Sequence, residues 1–327
     1  MNLGKWENNG NIIDPLIKDK MINGITNLNK GRPFDINLIK NPKIVYVIPS
    51  YNCNLHCPHC TIWKRKQEYN PSKIYECIKD LHNTEVCLFG GEILLNDLDF
   101  LNKITDRLID NKCNVIISSN LVTVREEENK IIENDLPYDF LKKVGVGTSY
   151  NPGRFNTLQF NNWISNLKKL RDKKIRYTIM VTLTSSLSKI DVKVFDELMN
   201  LNSYIDDPFV KFDNFIGPLT DKDVEDIDNW LVNLYDSCKN KDLYSTFVEM
   251  KATIMGNNKW GYTCNNVYTI LPSGNLKAGC PYYEKYQLKD KCMECKYLEF
   301  CVGGCCIQPT CTFPKKLFKK IKEDLDI

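Results

Sequence analysis

Short apolar runs alternate with amphipathic stretches between residues 43 and 240. The apolar runs are rich in β-branched residues, which predicts buried strands, and the stretches between them repeat apolar residues at helical spacing. Because strands and helices that alternate through short connections form parallel βα units, this region predicts an α/β fold. Six units fall short of the eight in a complete barrel, so we expect a partial, TIM-like (β/α)6 barrel. The predicted strands are 44–48, 85–89, 115–118, 144–148, 175–183 and 209–212, and the predicted helices are 71–82, 96–110, 124–134, 161–171, 191–201 and 221–239.

The pattern changes after residue 255, where cysteines become dense and helical periodicity ends. Two short apolar runs, 267–271 and 276–278, flank a Pro-Ser-Gly-Asn turn, which predicts a β-hairpin. Small loop-rich segments bury too little apolar area to fold alone and are usually held by metal. We therefore predict an N-terminal extension (1–42), the partial barrel (43–240), a small cysteine-rich cluster domain (241–312) and a helical tail (313–327).

The composition is that of an ordinary globular protein and excludes several classes of function. Of 327 residues, 43% are hydrophobic and 26% are charged, and the formal net charge is +3. This balance argues against nucleic acid as a partner, and the longest apolar run, five residues, is too short to span a membrane. The N-terminus lacks the apolar core of a secretory signal, which predicts a cytoplasmic protein. In that reducing compartment, the 15 cysteines are expected to be metal ligands rather than disulfides.

Three cysteines lie close together after the first predicted strand, in the sequence Cys53-Asn-Leu-His-Cys57-Pro-His-Cys60. Three thiolates can ligate three irons of a 4Fe–4S cluster and leave the fourth iron open to a non-protein ligand. The same thiolates with His56 or His59 could instead hold zinc. Because active sites of βα barrels lie at the carboxyl ends of the strands, either centre would lie where chemistry is expected.

This CxxxCxxC loop after the first strand of a partial barrel resembles the hallmark of the radical SAM superfamily. The resemblance implies a 4Fe–4S cluster on Cys53, Cys57 and Cys60, with S-adenosylmethionine (SAM) bound to the fourth iron. An electron from a reductant such as flavodoxin or ferredoxin would cleave SAM to a 5′-deoxyadenosyl radical, which the protein positions and shields. His59 stands where the family usually has an aromatic residue near the adenine, and its imidazole could stack there or make a polar contact.

Gly90, Gly91 and Glu92 follow the second predicted strand. Glycines allow the backbone to approach a ligand closely, and a carboxylate suits an ammonium group. The three residues are similar to the family's GGE motif, which implies contact with the amino group of SAM, although Ile93 replaces the usual proline. An ordinary turn with a solvated glutamate is the alternative.

Two serines at strand ends are further candidates for binding SAM. Ser149 begins a Ser-Tyr-Asn segment that is similar to a family segment ending in Ser-x-Asp, in which the serine reaches the ribose or the carboxylate of SAM. Ser118 ends the third strand and is expected to face the same opening. For both serines, a polar turn between strand and loop is the alternative.

The C-terminal cysteines have the spacing of a second metal-binding region. Two zinc-ribbon sites are one interpretation of their CxxC pairs. The joint pattern, with its CxxCx5CxxxC run, resembles a SPASM domain, which implies one or two auxiliary 4Fe–4S clusters. By the family's pairing, Cys292, Cys295, Cys301 and Cys311 hold an outer cluster, whereas Cys264, Cys280 and Cys305 hold an inner one. The inner cluster then has an open iron, a non-cysteine ligand, or Cys306 as a competitor for Cys305.

The resemblance implies an oxidoreductase that abstracts hydrogen from a substrate, and members commonly mature ribosomally made peptides. A cross-link such as a thioether, or an epimerisation, is the favoured outcome, whereas formylglycine formation, as in sulfatase maturases, is the alternative. Outside the family, a non-enzymatic zinc- or cluster-stabilised binding module also fits. Asp213 is a candidate general base, or else a solvated turn residue. A spare thiol near the radical could donate a hydrogen atom, and the unassigned cysteines are Cys77, Cys87, Cys113, Cys238 and Cys306.

Overall fold

The computed structural model covers most of the predicted barrel and parts of the cysteine-rich region; the predicted N-terminal extension lies outside the described residues. The described residues are 44–57, 60–66, 68–128, 130–203, 210–213, 219–256, 267–279, 281, 295–297, 300 and 311–326. The strands are β1 (Ile44–Val47), β2 (Glu85–Leu88), β3 (Asn114–Ser119), β4 (Val124–Glu127), β5 (Lys130–Glu133), β6 (Gly145–Tyr150), β7 (Tyr177–Thr182), β8 (Val210–Asp213), β9 (Val267–Ile270) and β10 (Leu276–Ala278). The helices are α1 (Pro71–Ile78), α2 (Leu98–Asp110), α3 (Tyr138–Leu141), α4 (Thr157–Asp172), α5 (Val192–Asn202), α6 (Asp221–Ser237), α7 (Ser245–Ile254) and α8 (Lys315–Asp324).

Eight strands form one sheet in the order β10-β9-β1-β2-β3-β6-β7-β8. Neighbouring strands are parallel except for β10, which is antiparallel to β9. This mostly parallel sheet with surrounding helices confirms the predicted α/β partial barrel, and across the described strands the sheet does not close. β9 pairs with β1, from Ile44 opposite Val267 to Val47 opposite Ile270. The predicted hairpin of the cysteine-rich region is therefore an extension of the barrel sheet.

The helix predicted over 124–134 is wrong, because these residues form the antiparallel hairpin β4–β5. Glu128, at the turn, has a φ of 48°, a left-handed conformation that a helix does not contain. Arg125 pairs with Glu127 at 2.9 Å, a spacing of two that puts both side chains on one face of a strand. The charges suggested a helix, but the β-branched residues at 124, 131 and 132 favour the strands that the structure adopts.

Alternate residues of the parallel strands face two different environments. In β2, Val86 and Leu88 are fully buried and belong to the core that packs against the helices, whereas Glu85 and Cys87 are only half-buried. The same alternation of buried and half-buried residues occurs in β7 and β8. Asp213 at the end of β8 raises the pKa of Cys87, although three strands separate β8 from β2 in the sheet. The sheet is therefore curved, and its half-buried side chains line an inner face.

Two helices that follow the barrel in sequence also pack against it. In the connection to α7, the Tyr244 hydroxyl donates to the buried Asp196 carboxylate at 2.7 Å, and α7 itself provides the Thr246 hydroxyl, which accepts from the Phe212 amide of β8 at 3.1 Å. The predicted tail helix is confirmed as α8, and its first amides donate to the Asp228 carboxylate of α6. Among the described helices, none is long and apolar enough to cross a lipid bilayer.

Candidate active site

The three cysteines of the first cluster lie on the loop that follows β1. Leu55 is 2% exposed and anchors the middle of the loop in the core. The Leu55 amide donates to Cys53 Sγ at 3.4 Å, and the Cys60 amide donates to the Cys57 carbonyl at 3.1 Å. Within the described part of the chain, no three His, Cys, Asp or Glu side chains lie close enough together to hold a metal ion.

The electrostatic environment of the loop disfavours free thiolates. Burial raises the pKa of Cys53 to about 11, and the Leu55 amide and the Arg154 charge only partly oppose it. Burial also raises the pKa of Cys57, with Arg154 again opposing and Cys60 adding to the rise. Thiols of this kind lose their protons when they bind a cationic metal centre, which takes the place of the proton. The chemistry of this donor set, three free thiols on one loop, suits an iron–sulfur cluster, although the thiols do not converge as metal ligands in this structure.

Gly90 and Gly91 lie directly against the backbone of this loop. A Cβ at Gly91 would lie 1.9 Å from the Asn52 carbonyl oxygen, and a Cβ at Gly90 would lie 2.5 Å from the Ser50 carbonyl oxygen. The Gly91 amide donates to that Ser50 oxygen at 3.1 Å. In this structure the two glycines therefore allow their backbone to approach the cysteine loop. Contact between these glycines and SAM stays a prediction.

Glu92 is 2% exposed and already has three protein donors, so it is not a solvated turn residue. Its carboxylate accepts from the Ser119 hydroxyl at 2.6 Å, from the Asn120 amide at 2.6 Å and from the Leu94 amide at 3.1 Å. Burial raises its pKa, while these hydrogen bonds and the Arg154 charge act in the opposite direction. A carboxylate has about four lone-pair sites, which leaves roughly one for a ligand.

Four residues connect the cysteine loop to the ends of β2 and β3. The Glu92 amide donates to the Asn52 carbonyl at 2.7 Å, and the Glu92 carboxylate accepts from Asn120. Asn120 Nδ2 then donates to Asn54 Oδ1 at 2.7 Å and lies 4.0 Å from Cys53 Sγ. We call Asn52, Asn54, Glu92 and Asn120 the loop anchor. Its hydrogen bonds form a closed path, which fixes the loop on the sheet.

The predicted serines have different surroundings. Ser118 lies opposite Gly147 in the ladder with β6, and it is the next residue, Ser119, that contacts Glu92. Ser149 accepts a hydrogen bond from Nη1 of Arg154. Asn151, which stands in place of the family's aspartate, is 3% exposed and donates to the Thr184 hydroxyl at 3.1 Å. The side chain of Asn151 thus holds the loops after β6 and β7 together.

Arg154 is a residue that the sequence analysis missed. Its Nε is buried and, among the described residues, has no hydrogen-bond partner. Its charge lowers the pKa of Cys53, Cys57 and Glu92, which places it beside both the loop and the anchor. Its position four residues after β6, at the carboxyl end of a strand, was the available signal. The arrangement can take up an anion next to the cysteines.

Several predicted residues cannot be placed. His59 and the cysteines Cys264, Cys280, Cys292, Cys301, Cys305 and Cys306 lie outside the described residues. Cys295 and Cys311 are described, and both are free and half-buried. The predicted auxiliary clusters therefore stay predictions.

The fold is similar to that of solved radical SAM enzymes. The structure of native anSMEcpe, an anaerobic sulfatase-maturating enzyme, with bound AdoMet and Cp18Cys peptide covers 86% of this chain and 96% of its own, at a TM-score of 0.62 and 18% identity. The structure of Streptococcus suis SuiB bound to the precursor peptide SuiA covers 94% of this chain and 81% of its own, at a TM-score of 0.52 and 14% identity. At these identities the likeness shows the fold. No family model and no curated protein matches the sequence.

We expect Glu92→Gln to lower the free energy of unfolding by about 1–3 kcal/mol, because the new amide nitrogen leaves a buried donor without its acceptor. Urea unfolding of the cluster-free protein measures this. Glu76→Gln is the control, since Glu76 is exposed and solvent screens its ion pair with Lys79. An unchanged urea midpoint for Glu92→Gln would show that the carboxylate does not anchor the loop.

Proposed function

We propose that the protein is a radical SAM enzyme in which Cys53, Cys57 and Cys60 hold a 4Fe–4S cluster. The observation that carries this proposal is the loop anchor, which ties a three-thiol loop to a GGE segment with a buried glutamate at the carboxyl ends of β1, β2 and β3. The bound cluster and SAM would supply the hydrogen-abstracting radical. A reductant such as flavodoxin or ferredoxin would supply the electron.

Arg154 provides the cation that meets the carboxylate of SAM in this proposal. Ser149 orients its Nη1, and its buried Nε is the group left to bind an anion. The Gly90-Gly91-Glu92 segment contributes the one remaining acceptor site of Glu92 for the amino group. Ser118 and Ser149 stay candidates for the ribose, and His59 stays the candidate for the adenine.

The C-terminal cysteines would hold auxiliary clusters. We assign Cys292, Cys295, Cys301 and Cys311 to an outer cluster and Cys264, Cys280 and Cys305 to an inner one, as the resemblance implies. The pairing of β9 with β1 supports this assignment, because it brings the cysteine-rich region onto the sheet that carries the first cluster.

The substrate we propose is a ribosomally made peptide. The solved anSMEcpe and SuiB structures with the same fold hold a Cp18Cys peptide and the precursor peptide SuiA. A cross-link such as a thioether is one outcome, and formylglycine formation is the alternative. Asp213, on the inner face of the sheet, is the proposed general base. Burial raises the pKa of its carboxyl, with Lys211 opposing and Glu249 adding to the rise, and a raised pKa favours proton uptake at neutral pH.

Epimerisation is the second candidate reaction, and Cys87 favours it. Burial, Glu85 and Asp213 together raise the pKa of this inner-face thiol to about 12, so it keeps its proton. A protonated thiol can donate its hydrogen atom to a substrate carbon radical: the S–H bond breaks, a C–H bond forms, and the reductant then returns an electron to the sulfur while the solvent returns a proton.

The first test counts iron and sulfide after anaerobic reconstitution. We expect about twelve irons per chain in the wild type and about eight in the Cys53/Cys57/Cys60→Ala triple variant, with sulfide in parallel. Zinc without sulfide in the wild type would contradict the proposal and favour the binding module.

We expect Arg154→Gln to weaken SAM binding about tenfold or more, because it removes a charge-assisted hydrogen bond. Equilibrium dialysis with the reconstituted protein measures the dissociation constant. Arg154→Lys should recover part of the loss, and Arg125→Gln, on the exposed hairpin β4–β5, should change nothing. Equal affinity in Arg154→Gln and wild type would remove Arg154 from the SAM site.

The second candidate reaction predicts one deuterium at the modified carbon when a peptide substrate is processed in D2O, since the Cys87 hydrogen exchanges with solvent. Mass spectrometry should find that Cys87→Ala still forms 5′-deoxyadenosine but gives no deuterated, epimerised product. Cys113→Ala is the control, because Cys113 is a buried thiol that donates to the Leu81 carbonyl. Deuterium incorporation by Cys87→Ala at the wild-type level would rule Cys87 out as the donor.

A further inference from the structure

Several hydrogen bonds join the β9–β10 hairpin to the chain on both sides of the first cysteine loop. Ile48, Tyr51 and Ile62 also form a small apolar cluster, against which Cys60 and Leu271 pack. We call this contact region the seam. Its hydrogen bonds run from the Ile48 amide to the Ile270 carbonyl at 2.9 Å, from the Asn70 amide to the Pro272 carbonyl at 2.8 Å and from Cys77 Sγ to the Gly274 carbonyl at 3.1 Å.

Arg65 extends the seam beyond the hairpin. It ends the 3-10 helix Ile62–Lys64, where its amide donates to the Ile62 carbonyl at 3.0 Å. Its Nη2 donates to the carbonyl oxygen of Pro281 at 3.2 Å. Its Cζ lies 5.5 Å from the ring centroid of Tyr51, which is 7% exposed. The guanidinium is therefore fixed by two contacts, one on each side of the seam.

The two contacts of Arg65 lie next to both sets of cysteines in the chain. Tyr51 precedes Cys53 by two residues, and Pro281 directly follows Cys280. The hydrogen bond to the Pro281 carbonyl therefore fixes the residue that directly follows Cys280 in the chain. A planar guanidinium can stack on an aromatic ring and donate in its own plane at the same time, which an ammonium group cannot do.

We propose that Arg65 is a positioning residue that fixes Pro281, the residue that directly follows Cys280 in the chain, relative to the loop carrying Cys53, Cys57 and Cys60. The proposal rests on the proposed function, in which Cys280 ligates the inner auxiliary cluster. Geometry, hydrogen bonding and solvent exposure at the ligands set the reduction potential of such a cluster. Loosening the Pro281 contact should therefore change that potential and leave the first cluster in place.

The experiment compares Arg65→Gln and Arg65→Lys with Lys64→Gln. Lys64 is an exposed neighbour on the same short helix and lies over Trp63, outside the seam. The first readout is the midpoint potential of the auxiliary clusters, from an EPR-monitored redox titration in the Cys53/Cys57/Cys60→Ala background. The second is hydrogen exchange of the amides at 276–279 in the cluster-free protein.

We expect Arg65→Gln to shift the potential of one auxiliary cluster and to speed amide exchange at 276–279 about tenfold, because the hydrogen bond to the Pro281 carbonyl is lost. Arg65→Lys should give a potential and an exchange rate between those of Arg65→Gln and the wild type, because it keeps a donor and loses the stacking on Tyr51. Lys64→Gln should equal the wild type in both measurements. When the three substitutions are made instead in the chain that keeps Cys53, Cys57 and Cys60, the total iron content should equal that of the wild type.

Two results would overturn the proposal, and they are distinguishable. Wild-type potentials and exchange rates in Arg65→Gln, with full iron and sulfide, would overturn the role of Arg65 alone. Absence of iron and sulfide from the Cys53/Cys57/Cys60→Ala background would overturn the auxiliary clusters of the proposed function and the role of Arg65 together.

Discussion

The close approach of two backbone segments, Gly90-Gly91 and residues 50–52, is the constraint on which the candidate site depends. No side chain fits between them, because a Cβ at Gly91 would overlap the Asn52 carbonyl. This approach brings the Glu92 amide to Asn52, and the Glu92 carboxylate in turn reaches the end of β3. Asn120 in turn donates a hydrogen bond to Asn54, which lies on the cysteine loop. The glycine pair thus sets the position of the thiols through a chain of backbone and amide contacts, before any ligand binds.

The same packing explains the electrostatics of the site. It buries Cys53, Cys57 and Glu92, and burial is the largest cause of the raised pKa of each. Three acidic groups that lose solvent together need positive charge to ionise. Arg154 is the cation that lowers the pKa of all three. Arg154 acts on every one of them, and among the described residues its buried Nε has no hydrogen-bond partner, so this group is left for an external anion.

The sequence predicted those features of the fold that depend on local pattern. The six barrel strands and the hairpin at 267–278 follow from runs of β-branched residues between turn residues, and the structure has them. At 124–134 two local signals conflict, charges at helical spacing and β-branched residues, and the left-handed turn at Glu128 favours the hairpin. The pairing of β9 with β1 joins residues more than 200 positions apart, and no local pattern encodes it. Arg154 was missed for the same reason, since only folding brings it to Cys53.

That long-range pairing changes how the two cysteine-rich regions are related. Since β9 is parallel to β1, the turn after β9 and the cysteine loop after β1 leave the sheet at the same end, about 4.8 Å apart in strand spacing. Helix α1 then closes over that turn, as the Asn70–Pro272 and Cys77–Gly274 contacts show. A shift of the hairpin would therefore move the chain on both sides of Cys60. The cysteine-rich region begins as part of the barrel's own sheet, and the distance between its hairpin and the first cysteine loop is set by backbone hydrogen bonds rather than by a linker.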